Sequence, residues 1–165
     1  MMKPTLPSKT ACASLATGDG TGFLLAPDDH ENPGEVLAIN ADGSVVAGVS
    51  NQEGFIWNAI DGMQPLGRLE GSLPGLDPVF ANALTADGDV AFGACGFQAF
   101  VWTEAAGMRS LQELLTAGGF AAPDGATITN VLAASSDGGV VLASAVNVAN
   151  EFRSVIIRVP ATFWR

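Results

Sequence analysis

Asp28-Asp29-His30-Glu31 is the densest run of ionisable side chains in this 165-residue sequence, and it holds the single histidine. Carboxylates beside an imidazole are the residue types of a metal centre or of acid–base hydrolysis. A metal centre needs ligands converging from elsewhere in the chain, and the run has neither zinc-site nor EF-hand spacing. Hydrolysis would need a partner base or nucleophile that the sequence does not mark. Pro27 and Pro33 bracket the run, so it reads as a solvated loop.

A second candidate comes from Asp-Gly pairs. Asp19, Asp42, Asp61, Asp87, Asp124 and Asp137 each precede a glycine. Around two of them, Asn40-x-Asp42-Gly43 and Thr85-x-Asp87-Gly88-Asp89, oxygen-bearing side chains alternate as they do in calcium loops. Calcium takes about six to eight oxygens, more than a two-residue hairpin supplies. The turn alone explains the pairing, because Gly adopts the positive φ that such turns need. No metal and no cofactor is expected.

Aromatic side chains offer a third chemistry. Phe55 and Trp57, like Phe100 and Trp102, stand two apart, so on a strand each pair shares one face. Such a pair could stack on a sugar ring, but its recurrence favours packing between neighbouring sheets. Trp164 lies outside the pattern and is expected to be exposed or docked on an edge. Cys12 and Cys95 are read as two unrelated thiols. There is no Gly-x-Ser-x-Gly, no phosphate loop and no Cys/His pair, so no catalytic residue is assigned. A site assembled from several repeats would carry no such linear motif.

The elements that must position these residues repeat along the chain. At an offset of about 45 residues, Ala38–Gly48 lies over Ala83–Gly93, and Phe55-Ile56-Trp57 lies over Phe100-Val101-Trp102. Gly62-Met63 lies over Gly107-Met108 without a gap. A looser third copy contains Ser135-Ser136-Asp137-Gly138, and its second half, Phe152–Val159, lacks the Trp. Gly22-Phe23-Leu24-Leu25 is read as a remnant of an earlier copy. Each full copy reads as four short strands joined by Asp-Gly turns, the fourth weakened by Pro65 in the first copy. Ser110-Leu111-Gln112-Glu113 is a capping-box sequence ahead of Leu111, Leu114 and Leu115, predicting a short helix over 111–117 stopped by Gly118-Gly119. The expected units are an N-terminal segment 1–35, copies at 36–80 and 81–126, and a divergent terminal copy at 127–165.

The pattern Asp-Gly-x-Val-x-x-Gly, then Phe-[Ile/Val]-Trp, then Gly-Met-x-x-Leu resembles the HAF-repeat family of bacterial proteins regarded as extracellular. Asp42, Gly43, Gly48, Phe55, Trp57 and Met63 carry it in the first copy, and Asp87, Gly88, Gly93, Phe100, Trp102 and Met108 in the second. Asp137 and Gly138 carry what remains in the third. The resemblance implies a β-propeller-like fold and an extracellular or cell-envelope setting, and no reaction. Four strands in about 45 residues also fit one propeller blade. The fold expected is all-β, with antiparallel four-stranded repeats as blades, about three and a half in number, open or partial. A piece of a longer array, two copies completing a ring and an open curved stack all fit that length.

Composition narrows the partners. Seventeen acidic against seven basic side chains give a net charge of -10, which argues against nucleic acid, and no apolar run is long enough to span a membrane. Lys3 and Lys9 are not followed by an apolar block of signal-peptide length. The expected function is a non-enzymatic binding module that meets a protein or glycan, or a second copy of itself, through a propeller face or an open edge. The alternatives are a carbohydrate-active or hydrolytic enzyme on the same scaffold, with Asp28, Asp29 and Glu31 at a channel mouth, and a fragment of a longer array.

Overall fold

Short β-branched and aromatic runs cut by Asp-Gly turns can pair only with their immediate neighbours, and the protein folds that way. The structure is a computed structural model that describes residues 34–165. Asp28, Asp29, His30, Glu31, Cys12 and Gly22–Leu25 lie outside the described residues, as does nearly all of the segment 1–35. Three antiparallel sheets follow one another. The first is β1 (Glu35–Ile39), β2 (Val45–Ser50), β3 (Glu53–Asn58) and β4 (Gly62–Pro65). The second is β5 (Val79–Leu84), β6 (Val90–Cys95), β7 (Gln98–Thr103) and β8 (Gly107–Ser110). Among the described residues the third has three strands, not four: β9 (Thr127–Ala134), β10 (Val140–Val146) and β11 (Phe152–Arg158). Strand order matches chain order in each, and β4, with Pro65, is an edge.

Directly opposed residues share a face, so the register assigns every side chain. In the second sheet Trp102 opposes Ala91 and Met108, while Phe100 opposes Gly93. That face packs against Ala47 and Ile56 of the first sheet. The opposite face, with Val90, Phe92 and Val101, packs against Val131, Val141 and Ala143 of the third. Phe100 and Trp102 therefore sit between adjacent sheets. Phe55, Trp57, Met63 and Val46 form their own cluster on the far face of the first sheet. Cys95 is a free thiol buried between the first two sheets.

Gly48 and Gly93 are where a side chain has no room. A bulge in β1 brings the Glu35 carbonyl within 1.9 Å of where a Cβ on Gly48 would lie, and a bulge in β5 puts the Phe80 carbonyl 1.8 Å from the same point on Gly93. The third sheet holds Ala143 at the corresponding place, opposite Val131, with its own register shift beside it.

Helix α1 (Leu111–Ala117) follows β8 directly. The Ser110 hydroxyl accepts the Glu113 N–H at 3.3 Å, Gly118 ends the helix, and Leu111 and Leu115 are buried against the core shared by the second and third sheets.

Trp164 corrects the expectation of an exposed or edge-docked side chain. It is fully buried, in a 3-10 turn at Ala161–Trp164. Its indole N–H donates to the Gly138 carbonyl at 2.8 Å, and its ring stands edge-on to Phe92, with centroids 5.4 Å apart. The side chain thus bridges β6 and the turn before β10. Burial of so large a ring with its one donor satisfied is favourable wherever a slot exists, and nothing local in the sequence marks the slot.

Candidate functional site

Three Asp-Gly turns carry most of the polar residues that the sequence singles out. Each joins the first two strands of its sheet through a loop longer than the two-residue hairpin expected. Side-chain bonds support that extra length. The N–H groups of Val45, Val90 and Val140 donate to the side chains of Asn40, Thr85 and Ser135 at 3.0, 3.1 and 2.9 Å. Asp42, Asp87 and Asp137 in turn accept the N–H of Ser44, Asp89 and Gly139 at 2.9, 3.1 and 2.9 Å. Gly43, Gly88 and Gly138 close the loops with φ of 77°, 79° and 74°, which costs other residues about 1–2 kcal/mol.

Charge at these turns follows the bonding. The Thr85 hydroxyl, aided by Arg165, holds the Asp87 carboxyl at about 2, against an ordinary 3.8. Ser44 lowers Asp42, and Ser135 lowers Asp137. Each carboxylate bonds within its own loop, Asp87 also bonding Arg165 through its second oxygen. Among the described residues no group of three or more His, Cys, Asp or Glu side chains converges on a metal-sized space.

The turns are tied to one another by main-chain bonds. Ala41 N–H donates to the Ala86 carbonyl at 3.1 Å, and Ala86 N–H donates to the Ser136 carbonyl at 2.7 Å. Gly88 packs here as well, since a Cβ on it would lie 2.9 Å from the Val45 side chain. These links were hidden from sequence reasoning because any residue can make them.

The other surface of interest is the far end of the third sheet. Val141, Ala143 and Ala145 of β10 face the core, so Leu142 and its cross-strand neighbour Ile156 face away. Phe152 and Ile156 are 75% and 63% exposed, whereas Phe92, on the corresponding face of the second sheet, is at 0%. Leu132 adds to this open apolar face. Beside it a groove of about 390 Å³ runs between β11 and residues Leu115 and Phe120, floored by Ile128 and Ala145. Arg158 is the charged residue of the groove lining. The sequence signal for this end is the missing Trp in the third copy.

No protein-family model matches the chain, and a search of the curated proteins finds no significant match. No described helix is long and apolar enough to cross a membrane.

Proposed function

We propose that the chain is a non-enzymatic interaction module, a short array of propeller-like blades that binds through the open end of its third sheet. The observation that carries this reading is the exposed apolar face of Leu132, Leu142, Phe152 and Ile156. The same face of the first and second sheets is core, filled by the sheet that follows. An exposed sheet face of this kind favours association with another apolar sheet face, and a second copy of the chain is one source of it. The resemblance to HAF repeats supports an extracellular or cell-envelope setting. Spending the turn carboxylates on local bonds supports binding over hydrolysis.

Sedimentation or light scattering across a concentration series tests the reading. Association that strengthens with concentration and is lost in Leu142→Lys/Phe152→Lys, with unchanged circular dichroism, is the expected result. A wild-type chain that stays monomeric and behaves as the double variant does would overturn it.

A further inference from the structure

The groove beside β11 lies where the other two sheets place a fourth strand. Five consecutive residues, Ser154 to Arg158, line it. Successive residues of a strand point to opposite faces, so five in a row along one groove means that the strand's free edge forms its wall. In the first sheet β4 covers that edge, and in the second β8 covers it. Among the described residues no strand pairs with β11 on that side.

The register explains why the groove is deep. Val46, Ala91 and Val141 occupy corresponding positions after the three turns, and they oppose Trp57, Trp102 and Ile157. Two residues further on, Gly48, Gly93 and Ala143 oppose Phe55, Phe100 and Val155. The third sheet thus has Ile for Trp and Val for Phe. On the far side of the indoles stand Met63 and Met108, each directly opposite its Trp on the fourth strand. In the third sheet the place opposite Ile157 is part of the groove.

We infer that this groove binds an extended segment of a partner polypeptide, which adds to β11 as a fourth strand and turns one bulky apolar side chain, methionine or aromatic, inward opposite Ile157. Main-chain pairing along the β11 edge supplies affinity, and the pocket left by the smaller side chains supplies selectivity. The chain contains its own precedent twice, in Gly62-Met63 against β3 and Gly107-Met108 against β7. Arg158 in the lining favours a neutral or acidic segment over a basic one. The inference rests on the reading of the third sheet as a binding end, and it concerns the edge, not the apolar face.

A fluorescein-labelled peptide copying residues 61–66, Asp-Gly-Met-Gln-Pro-Leu, is the probe. With the full chain, saturable anisotropy is expected, together with slowed amide exchange along β11. Binding should fall at least tenfold for the peptide with Met changed to Asp. It should fall as far for the unchanged peptide on Ile157→Asp, which sets a carboxylate opposite the incoming methionine. Ile157→Ser serves the same purpose if Ile157→Asp does not fold. Absence of binding at millimolar peptide, or undiminished binding by the Asp peptide or by the Ile157 variant, overturns the inference. Leu142→Lys/Phe152→Lys, at two face residues outside the groove lining, separates the two surfaces. Loss of self-association with peptide binding retained leaves the edge site standing, and loss of peptide binding in this variant puts the peptide on the face and overturns the edge site.

Discussion

Replacing Trp164 with Ala removes a side chain that touches β6, the Gly138 turn and Phe163 together. The ring is fully buried, so the loss combines transfer of a large apolar surface with the cavity left behind, about 3–5 kcal/mol for such sites. The edge contacts with Phe92 and Phe163, at 5.4 and 4.9 Å between centroids, fall within that figure. The indole N–H bond to Gly138 adds about 1 kcal/mol that a Phe replacement isolates. Trp164→Ala should therefore lower Tm by roughly 10 °C in a chain of this size, and Trp164→Phe by about a third of that. Urea unfolding followed by far-ultraviolet circular dichroism reads the free energy, and scanning calorimetry reads Tm. A loss below about 1 kcal/mol for Trp164→Ala would refute the reasoning, because a ring that fills a core slot cannot be removed so cheaply.

Other outcomes follow from the same geometry. Gly93→Ala forces a Cβ against the Phe80 carbonyl and should cost about 3 kcal/mol, the upper range for overpacked sites, in a denaturant titration; an unchanged midpoint would show that the β5 bulge is not fixed. Asp87 has a folded pKa of about 2 against 3.8, so its contribution is whole above 3.8 and is lost as pH falls towards 2. Because the Asp87 side chain is 44% exposed, screening holds that contribution to about 1 kcal/mol or less, and Asp87→Asn should flatten the acid limb of stability between those values. Arg68 bonds Glu53 at 2.6 Å and the Asp77 carbonyl, tying β3 to the segment before β5. Arg68→Met should cost about 1–2 kcal/mol, read by thermal melting, and a stabilised variant would contradict this.

How much of this was legible depended on whether the signal was local. Helix α1 could be read to the residue, since Ser110, Glu113 and Gly118 act on their own neighbours. The strands and the Asp-Gly turns were legible for the same reason, although the turns are longer than two residues because Asn40, Thr85 and Ser135 bond the strand beyond. The shared face of Phe100 and Trp102 followed from strand alternation, and their place between sheets from the recurrence of the pair. Phe55 and Trp57, expected to pack the same way, lie instead on the far face of the first sheet with no described sheet against them. Trp164 was misread because its slot is made by β6 and the Gly138 turn, which lie far from it in sequence. The open groove left only a faint trace, the Trp absent from the third copy. Its meaning depends on which residue of β11 opposes Val141, and only the register supplies that.

The main-chain links from Ala41 to Ala86 and from Ala86 to Ser136 have a direction. Each takes its hydrogen from the earlier turn and its oxygen from the later one. Because no side chain takes part, a unit inserted or deleted by duplication would find the same donor and the same acceptor waiting. On the proposed reading of the sheets as repeated units, array length is then a variable that evolution can change without redesigning these main-chain links. The ends are not interchangeable, since growth at the Ala41 side must bring a donor and growth at the Ser136 side an acceptor. The molecule has a head and a tail, as a polymer does, although it is a single short chain.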